Sequence, residues 1–313
     1  MGVRPVSKFS IGAVQNNNGD ATVVVIGNDV IRLNSLLAAT GNDVLPSGFG
    51  LSEMLDHWDV WFPRLKSVID AFEGDVSIRN ACDIGAISGV NWLPPIQRPR
   101  KLICMGTNYA GHASEVSSDP LKTPYSFIKS ASNTLCGSGA TITLLDIAQM
   151  NDWEVELAVV IGRTARHVEE GQAMDYVAGY TIINDVSARD WVASSPKFLG
   201  IDWVVGKSID GYAPMGPTFT PAEFVPDPQN LDLELTVNGT VMQHGNTRQM
   251  VFNIAQIIAH LSKFMTLEPG DVIASGTPEG TGFGQKPMVF LKDNDVVRCT
   301  IAGLGTLENK FIR

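Results

Sequence analysis

Four cysteines in 313 residues, none in a CxxC or CxxxC spacing, argue against a zinc cluster or a disulfide framework. Cys82, Cys104, Cys136 and Cys299 lie far apart, so reduced thiols in a cytosol are the simpler expectation. No apolar run approaches the roughly 20 residues of a membrane span. Met1 to Ser10 is too polar for a signal peptide. The expected address is therefore cytoplasmic, with no membrane contact. Lys/Arg clusters are missing as well, and the net charge is −10 with a pI near 4.9. A nucleic-acid partner is not expected from that balance. A small anionic substrate stays compatible with it, because a metal and a few local cations override a negative average. The chain has no internal repeat and no long low-complexity segment.

What is present suits a globular enzyme. Hydrophobic residues make up 44% and charged residues 18%, enough for a sizeable core. The length allows one large domain plus one small one. Residues 1–95 are expected to form a small N-terminal domain, with strands at Phe9–Val14, Ala21–Ile26 and Val30–Leu33. Leu51–Phe72 reads as a helix with Met54, Trp58, Trp61, Leu65, Val68 and Ile69 on one stripe. Asn91–Arg100, with three prolines, is the expected linker. Residues 96–313 read as a mixed α/β, β-rich domain. Its strand-like runs include Leu102–Met105, Glu154–Ile161, Ala178–Ile183, Leu231–Val237, Asp271–Ser275 and Val296–Ile301. Asn238-Gly239 marks a hairpin, and Asn253–Phe264 is amphipathic. Too few helices alternate with strands for a doubly wound parallel sheet.

The most informative stretch is Asp152-Trp153-Glu154-Val155-Glu156-Leu157-Ala158-Val159-Val160-Ile161-Gly162. Strand alternation puts Glu154 and Glu156 on one face, with Cα atoms roughly 6.5 Å apart. The strand is apolar on both faces for most of its length, which predicts burial on both sides. Two buried carboxylates repel and cost desolvation, and a cation relieves both. All-oxygen ligation suits Mg²⁺ or Mn²⁺, and also Ca²⁺. The alternative is an edge strand with two solvated glutamates. Asp185 follows the apolar run Tyr180–Ile183 and is a third candidate ligand; alternatively it caps a short helix near Ser187. Asp152 shares the glutamate face but lies further out.

Five ordered segments carry a resemblance. Gly106-Thr107-Asn108-Tyr109-Ala110-Gly111-His112-Ala113-Ser114-Glu115 comes first, followed by Asp152–Gly162 and then Asn184-Asp185-Val186-Ser187-Ala188-Arg189-Asp190. Gly206–Pro217 and Ser275–Gly282 complete the set. Together, over residues 101–313, they resemble the fumarylacetoacetate hydrolase family; the leading residues resemble its small N-terminal domain only loosely. The resemblance implies a β-rich catalytic fold, a homodimer, and Mg²⁺ or Mn²⁺ on Glu154, Glu156 and Asp185. It further implies hydrolysis of a carbon–carbon bond in a 1,3-diketo acid. Decarboxylation, isomerisation or dehydration of a 2-oxo acid is the alternative within the family, and a non-catalytic metal-stabilised binding protein the alternative outside it.

The remaining candidates follow from residue chemistry and from the motifs. His112 and Glu115 share a helix face, and a carboxylate on one ring nitrogen raises the basicity of the other; the bland alternative is an exposed pair. The resemblance makes this pair the activator of water and Lys207 the oxyanion stabiliser. Arg189 is expected to bind a substrate carboxylate, or else to pair with Asp190 or Glu156. Thr277 lies in a glycine-rich loop where backbone N–H groups approach a ligand closely. No Gly-Lys-Ser/Thr follows, so this is not a nucleotide loop. Tyr109 and Lys129 are further substrate-binding candidates. Where many relatives carry a polar Gln, this chain has Val192, which points to a less polar substrate end.

Overall fold

The computed structural model describes residues 7–16, 19–87, 89–115, 121–196, 198 and 200–313. It is a mixed α/β, β-rich fold organised by one large sheet and one smaller one. In hydrogen-bonding order the large sheet runs Ile84–Ala86, Asp29–Arg32, Gly19–Ile26, Ser10–Asn16, Ala213–Pro221, Val177–Asn184, Val155–Ile161, Val272–Ala274, Leu102–Gly106, Tyr125–Ile128. The smaller one runs Thr240–Asn246, Asp232–Val237, Val296–Ile301, Gly305–Ile312, Thr141–Thr143.

The strand Val155–Ile161 is buried at every residue. Its two faces enter different cores. Val155, Leu157, Val159 and Ile161 pack with Leu233, Leu235, Val297, Cys299 and Phe311 of the smaller sheet and with Ile257, Ile258 and Leu261 of the helix Ile254–Phe264. Ala158 and Val160 face the other way, into a core that also holds Phe9, Ile11, Leu65, Val68, Ile69 and Phe219. The doubly apolar pattern in the sequence is the trace of this sandwiched position. Glu154 and Glu156 stand on the Ala158–Val160 face, at the end where that apolar layer runs out.

The sheet and the second core both pass across residue 95. Ser10–Asn16 pairs antiparallel with Ala213–Pro221, with Ile11 opposite Phe219. The expected linker is not a free tether. Within it Trp92–Leu93 forms a short strand against Ser10–Asn16, and Ile96 is fully buried. The long helix expected over Leu51–Phe72 is two helices, Leu51–Leu55 and Trp58–Gly74. They part at Asp56 and His57, where His57 leaves the helical region with φ −136° and ψ 45°; the Asp56 carboxylate pairs with Arg100. The apolar stripe survives the break: Met54, Leu65, Val68 and Ile69 are buried, and Trp58 stacks on Phe62 and meets Phe219 edge-on. The Asn238-Gly239 hairpin forms as its φ > 0 residues require. Asn253 caps the helix Ile254–Phe264 in a capping box with Gln256.

Candidate active site

Glu154, Glu156 and Asp185 each offer a carboxylate oxygen within 4.8 Å of one another. Adjacent strands position them. Val155–Ile161 pairs with Val177–Asn184 so that Val155 lies opposite Asn184, which brings Asp185 beside Glu154. The backbone locks this arrangement: Asp185 N–H donates to the Glu154 carbonyl at 2.9 Å, and Glu154 N–H donates to Asn184 Oδ1 at 2.9 Å. The strand is interior to the sheet and both glutamates are buried, so the solvated edge-strand alternative is excluded. Asp185 does not cap a helix either. Ser187–Ala188 forms a short strand against Asn151–Asp152.

Three cations surround these carboxylates. Lys207 closes the short helix Trp203–Lys207, and its Nζ donates to Glu154 Oε2 and Asp185 Oδ2, both at 2.7 Å. Lys129 Nζ donates to Asp185 Oδ1 at 2.6 Å and to the carbonyls of Val186 and Tyr212. All three hydrogens of that ammonium are thereby used, which leaves none for a substrate. Arg189 donates from Nε to Asp152 Oδ2 at 2.8 Å and from Nη2 to Glu154 Oε1 at 2.5 Å. Its partners are therefore Asp152 and Glu154, neither of the acids expected. Asp152 is fully buried and also accepts from the N–H groups of Trp153, Gly282 and Phe283. Its oxygens are committed to these donors, which accounts for its absence from the carboxylate triad.

Charge does not balance here. Four buried carboxylates (Asp152, Glu154, Glu156, Asp185) face three cations (Lys129, Arg189, Lys207), a local sum of −1. The deficit falls on Glu156. Burial would raise the Glu154 carboxyl, but Lys207 and Arg189 prevail and hold it at about 2. Glu156 has only the Gly276 N–H at 2.7 Å. Burial, then the charges of Asp185 and Glu154, push it well above the ordinary carboxyl range. Close by, the Tyr109 hydroxyl is buried without a hydrogen-bond partner, and burial together with the charge of Glu156 raises its pKa. An under-neutralised carboxylate, an orphaned hydroxyl and an all-oxygen donor set fit a hard divalent cation with its water or substrate oxygens.

A pH experiment on chelator-treated protein tests this picture. The Glu156 carboxyl has a folded-state pKa above its ordinary value of 4.5. Its contribution to stability is therefore complete below that value and is lost as pH rises towards the folded value. The stability difference between Glu156→Gln and the parent should widen in favour of the variant from about pH 4.5 upward. Thermal unfolding between acid and neutral pH reads it; a difference independent of pH would contradict the assignment.

His112 and Glu115 lie on the short helix Ala110–Glu115, with His112 Nδ1 at 3.4 Å from Glu115 Oε2. His112 is buried, so the exposed-pair alternative does not hold. Glu115 is anchored from a distant loop. Gly280 N–H donates to Oε1 at 2.6 Å, and Thr281 Oγ1 donates to Oε2 at 3.3 Å. Burial works to raise Glu115, but His112, Gly280 and Thr281 outweigh it and hold the carboxyl below its usual range. Gly284 leaves room for this: a Cβ there would sit 2.4 Å from the Glu115 carboxyl carbon.

Thr277 is buried with its hydroxyl used twice. It donates to the Val155 carbonyl at 2.9 Å and accepts from Gln243 Nε2 at 2.8 Å. Val192 is buried against Gly206, where an added Cβ would meet it at 2.3 Å, so its apolar side chain seats the helix carrying Lys207. Three polar residues with no role foreseen also frame the site. Gln243 accepts from Val155 N–H; Asn108 donates to the Phe252 and Ser275 carbonyls; Asn184 Oδ1 holds Glu154. Asn108 and Asn184 sit inside quoted motifs. Gln243 had only its polarity within a strand to signal it.

Residues 101–312 match the family model described as the fumarylacetoacetate hydrolase C-terminal domain. A human protein named as a mitochondrial oxaloacetate tautomerase is 45% identical over 225 residues, spanning 72% of this chain and 70% of that protein. The fumarylacetoacetate hydrolase of the psychrophile Exiguobacterium antarcticum superposes with a TM-score of 0.77 at 31% identity, covering 97% of this chain and 99% of that one. The maleylpyruvate hydrolase of Sphingobium sp. SYK-6, solved with manganese(II) and pyruvate, gives a TM-score of 0.74 at 28% identity, covering 96% and 98%.

Proposed function

Because the chain belongs to the fumarylacetoacetate hydrolase family, we propose that it is a divalent-metal-dependent enzyme of small 2-oxo acids. Its reaction is the enol–keto tautomerisation of an oxaloacetate-like diacid. The observation that carries this reading is a buried histidine, braced by a fixed carboxylate, near a carboxylate triad that, counted with the adjoining Asp152, lacks one positive charge. The 45% identity to an oxaloacetate tautomerase supports the choice of reaction.

Glu154, Glu156 and Asp185 would hold Mg²⁺ or Mn²⁺, and the manganese of the maleylpyruvate hydrolase structure supports that ion type. When bound, such a cation supplies Lewis acidity to the carboxylate and 2-oxo oxygens of the substrate. The chain does the rest. Imidazole as a class exchanges protons near neutral pH. His112 takes the proton that the enol hydroxyl releases and delivers one to the adjacent carbon. Glu115 steadies the imidazolium between those events. Tyr109 donates its unpartnered hydroxyl to a substrate oxygen. Lys207 and Arg189 hold the outer oxygens of Glu154 and Asp185 in place. Lys129 and Thr277 support the frame rather than touch substrate.

Hydrolysis of a 1,3-diketo acid, the reaction expected from the sequence, is the second reading. The clamp on Glu115 favours it, since a histidine fixed in this way also suits deprotonation of water. The two hydrolases that share the fold support it too. We further propose a cytoplasmic homodimer, read by light scattering as a particle of twice 33.7 kDa. No helix among the described residues is long and apolar enough to cross a membrane. The human relative is named as mitochondrial, so fractionation of the native host decides the address.

The deciding experiment follows two reactions on metal-stripped protein reloaded with Mg²⁺ or Mn²⁺. One is the decay of enol absorbance in fresh oxaloacetate; the other is release of pyruvate from an acylpyruvate. Metal-dependent enol decay lost in His112→Ala is expected. Acylpyruvate cleavage alone would replace the first reading by the second, and neither reaction would overturn both.

A further inference from the structure

Glu115 and Asp152 grip four consecutive residues of one loop from opposite sides. Glu115 accepts from Gly280 N–H and Thr281 Oγ1. Asp152 accepts from Gly282 N–H at 2.6 Å and Phe283 N–H at 3.1 Å. The loop is tightly seated between them: a Cβ on Gly282 would fall 1.9 Å from the Val289 carbonyl oxygen and 2.8 Å from Asp152 Oδ1. Trp153 Nε1 adds a bond to the Gly280 carbonyl at 3.1 Å. On its other side Asp152 holds Arg189 Nε, and Arg189 Nη2 ends on Glu154. An unbroken chain of charged hydrogen bonds thus runs Glu154–Arg189–Asp152–loop–Glu115–His112. Both of its ends are buried, where such bonds are strong and geometrically demanding.

We propose that Asp152 is a positioning residue that makes the cation site and the proton-transfer site order together, by holding Arg189 on one side and residues 280–283 on the other. The proposal rests on the reading of Glu154 as a cation ligand and His112 as the base. A cation that draws Glu154 inward sets Arg189, Arg189 sets Asp152, and Asp152 sets the loop that carries the donors for Glu115. The base is then fully oriented only when the cation is seated. Arg189 accordingly acts as a brace between two carboxylates and not as a clamp on a substrate carboxylate. Fixing a ligand through its outer hydrogen bonds is worth about 10–100-fold in metal affinity at other sites.

The test uses the full chain, stripped with chelator, with amide hydrogen exchange read by NMR before and after adding Mg²⁺. In the parent protein Mg²⁺ should slow exchange at Gly280, Gly282 and Phe283 by about 10-fold or more, on the scale of such outer partners. In Asp152→Asn an amide NH₂ would face the donors of Arg189 or the loop, leaving them unmatched. The slowing should shrink to below about 2-fold, with Mg²⁺ affinity by calorimetry reduced about 10–100-fold. Arg189→Lys keeps the charge but cannot span both carboxylates, and should uncouple the loop in the same way should Asp152→Asn fold poorly. A role confined to stability would lower the melting temperature without removing the Mg²⁺ dependence. Two outcomes overturn the proposal: loop exchange in the parent that ignores bound Mg²⁺, or full Mg²⁺-dependent slowing retained in both variants. Absence of Mg²⁺ and Mn²⁺ binding in the parent would instead sink the cation reading on which the proposal stands.

Discussion

Glu156→Gln is expected to abolish divalent-cation binding and to lower turnover about 1000-fold or more, while the folded protein persists. The magnitude follows from the several kcal/mol that a Lewis acid contributes to a charged transition state, at 1.36 kcal/mol per factor of ten. The fold survives because Glu156 makes one hydrogen bond, from Gly276 N–H, which a glutamine oxygen also accepts. The other two members behave differently. Asp185 carries Lys129 on one oxygen and Lys207 on the other, and Glu154 carries Lys207 and Arg189. Asp185→Ala and Glu154→Ala therefore strand buried cations as well as removing a ligand, a loss on the scale of about 3–5 kcal/mol of stability. All three should lose metal by calorimetry, and only Glu156→Gln should do so without a lower melting temperature. Unchanged metal affinity in all three would falsify the assignment.

His112→Ala should leave metal affinity intact and reduce turnover about 100-fold or more, the usual scale for a lost general base. Alanine at this position removes the ring but keeps the short helix, and it leaves Glu115 its bonds to Gly280 and Thr281. Glu115→Gln should cost less, because the ring remains, but it exchanges a charged partner for a neutral one. Decarboxylation of oxaloacetate, which needs no base, should fall less than tautomerisation in both variants. Turnover set against metal affinity separates a proton carrier from a residue that merely packs; unchanged tautomerisation in both variants with normal metal binding would dismiss it.

The strand carrying Glu154 and Glu156 was readable because burial on both faces imposes a pattern that few other environments share. The same holds for the Asn238-Gly239 turn and the amphipathic helix Ile254–Phe264, where local chemistry decides local structure. The partners of Arg189, Lys129 and Thr277 were not readable, because they are set by contacts between segments far apart in the chain. Arg189 meets an aspartate 37 positions away, and Lys129 an aspartate 56 away. Sequence patterns record which residues are unusual, not which of several nearby carboxylates each will reach. The break at His57 was not readable either, because no proline or glycine marks it in Leu55-Asp56-His57-Trp58. Asp152 read as an outlying ligand because its spacing matched the glutamates, whereas its actual donors come from Arg189 and the loop at 282–283.

The pairing of Ile11 with Phe219 has a consequence for the birth of the molecule. The partner of the first strand lies 219 − 11 = 208 residues downstream. At about 5–20 residues per second, a ribosome exposes the Ile11 strand roughly 10–40 s before Phe219 emerges to receive it. Through that interval Ser10–Asn16 has its hairpin partner Gly19–Ile26 on one edge and, once it emerges, Trp92–Leu93 along Ala13 and Val14 on the other, while the Ile11 end meant for Ala213–Pro221 stays open. Such an edge invites strand addition from a neighbouring nascent chain. Production of this protein should therefore depend on how crowded its polysomes are: slow, cool expression gives each leading hairpin time to meet its own sheet, and rapid expression drives it into inclusion bodies.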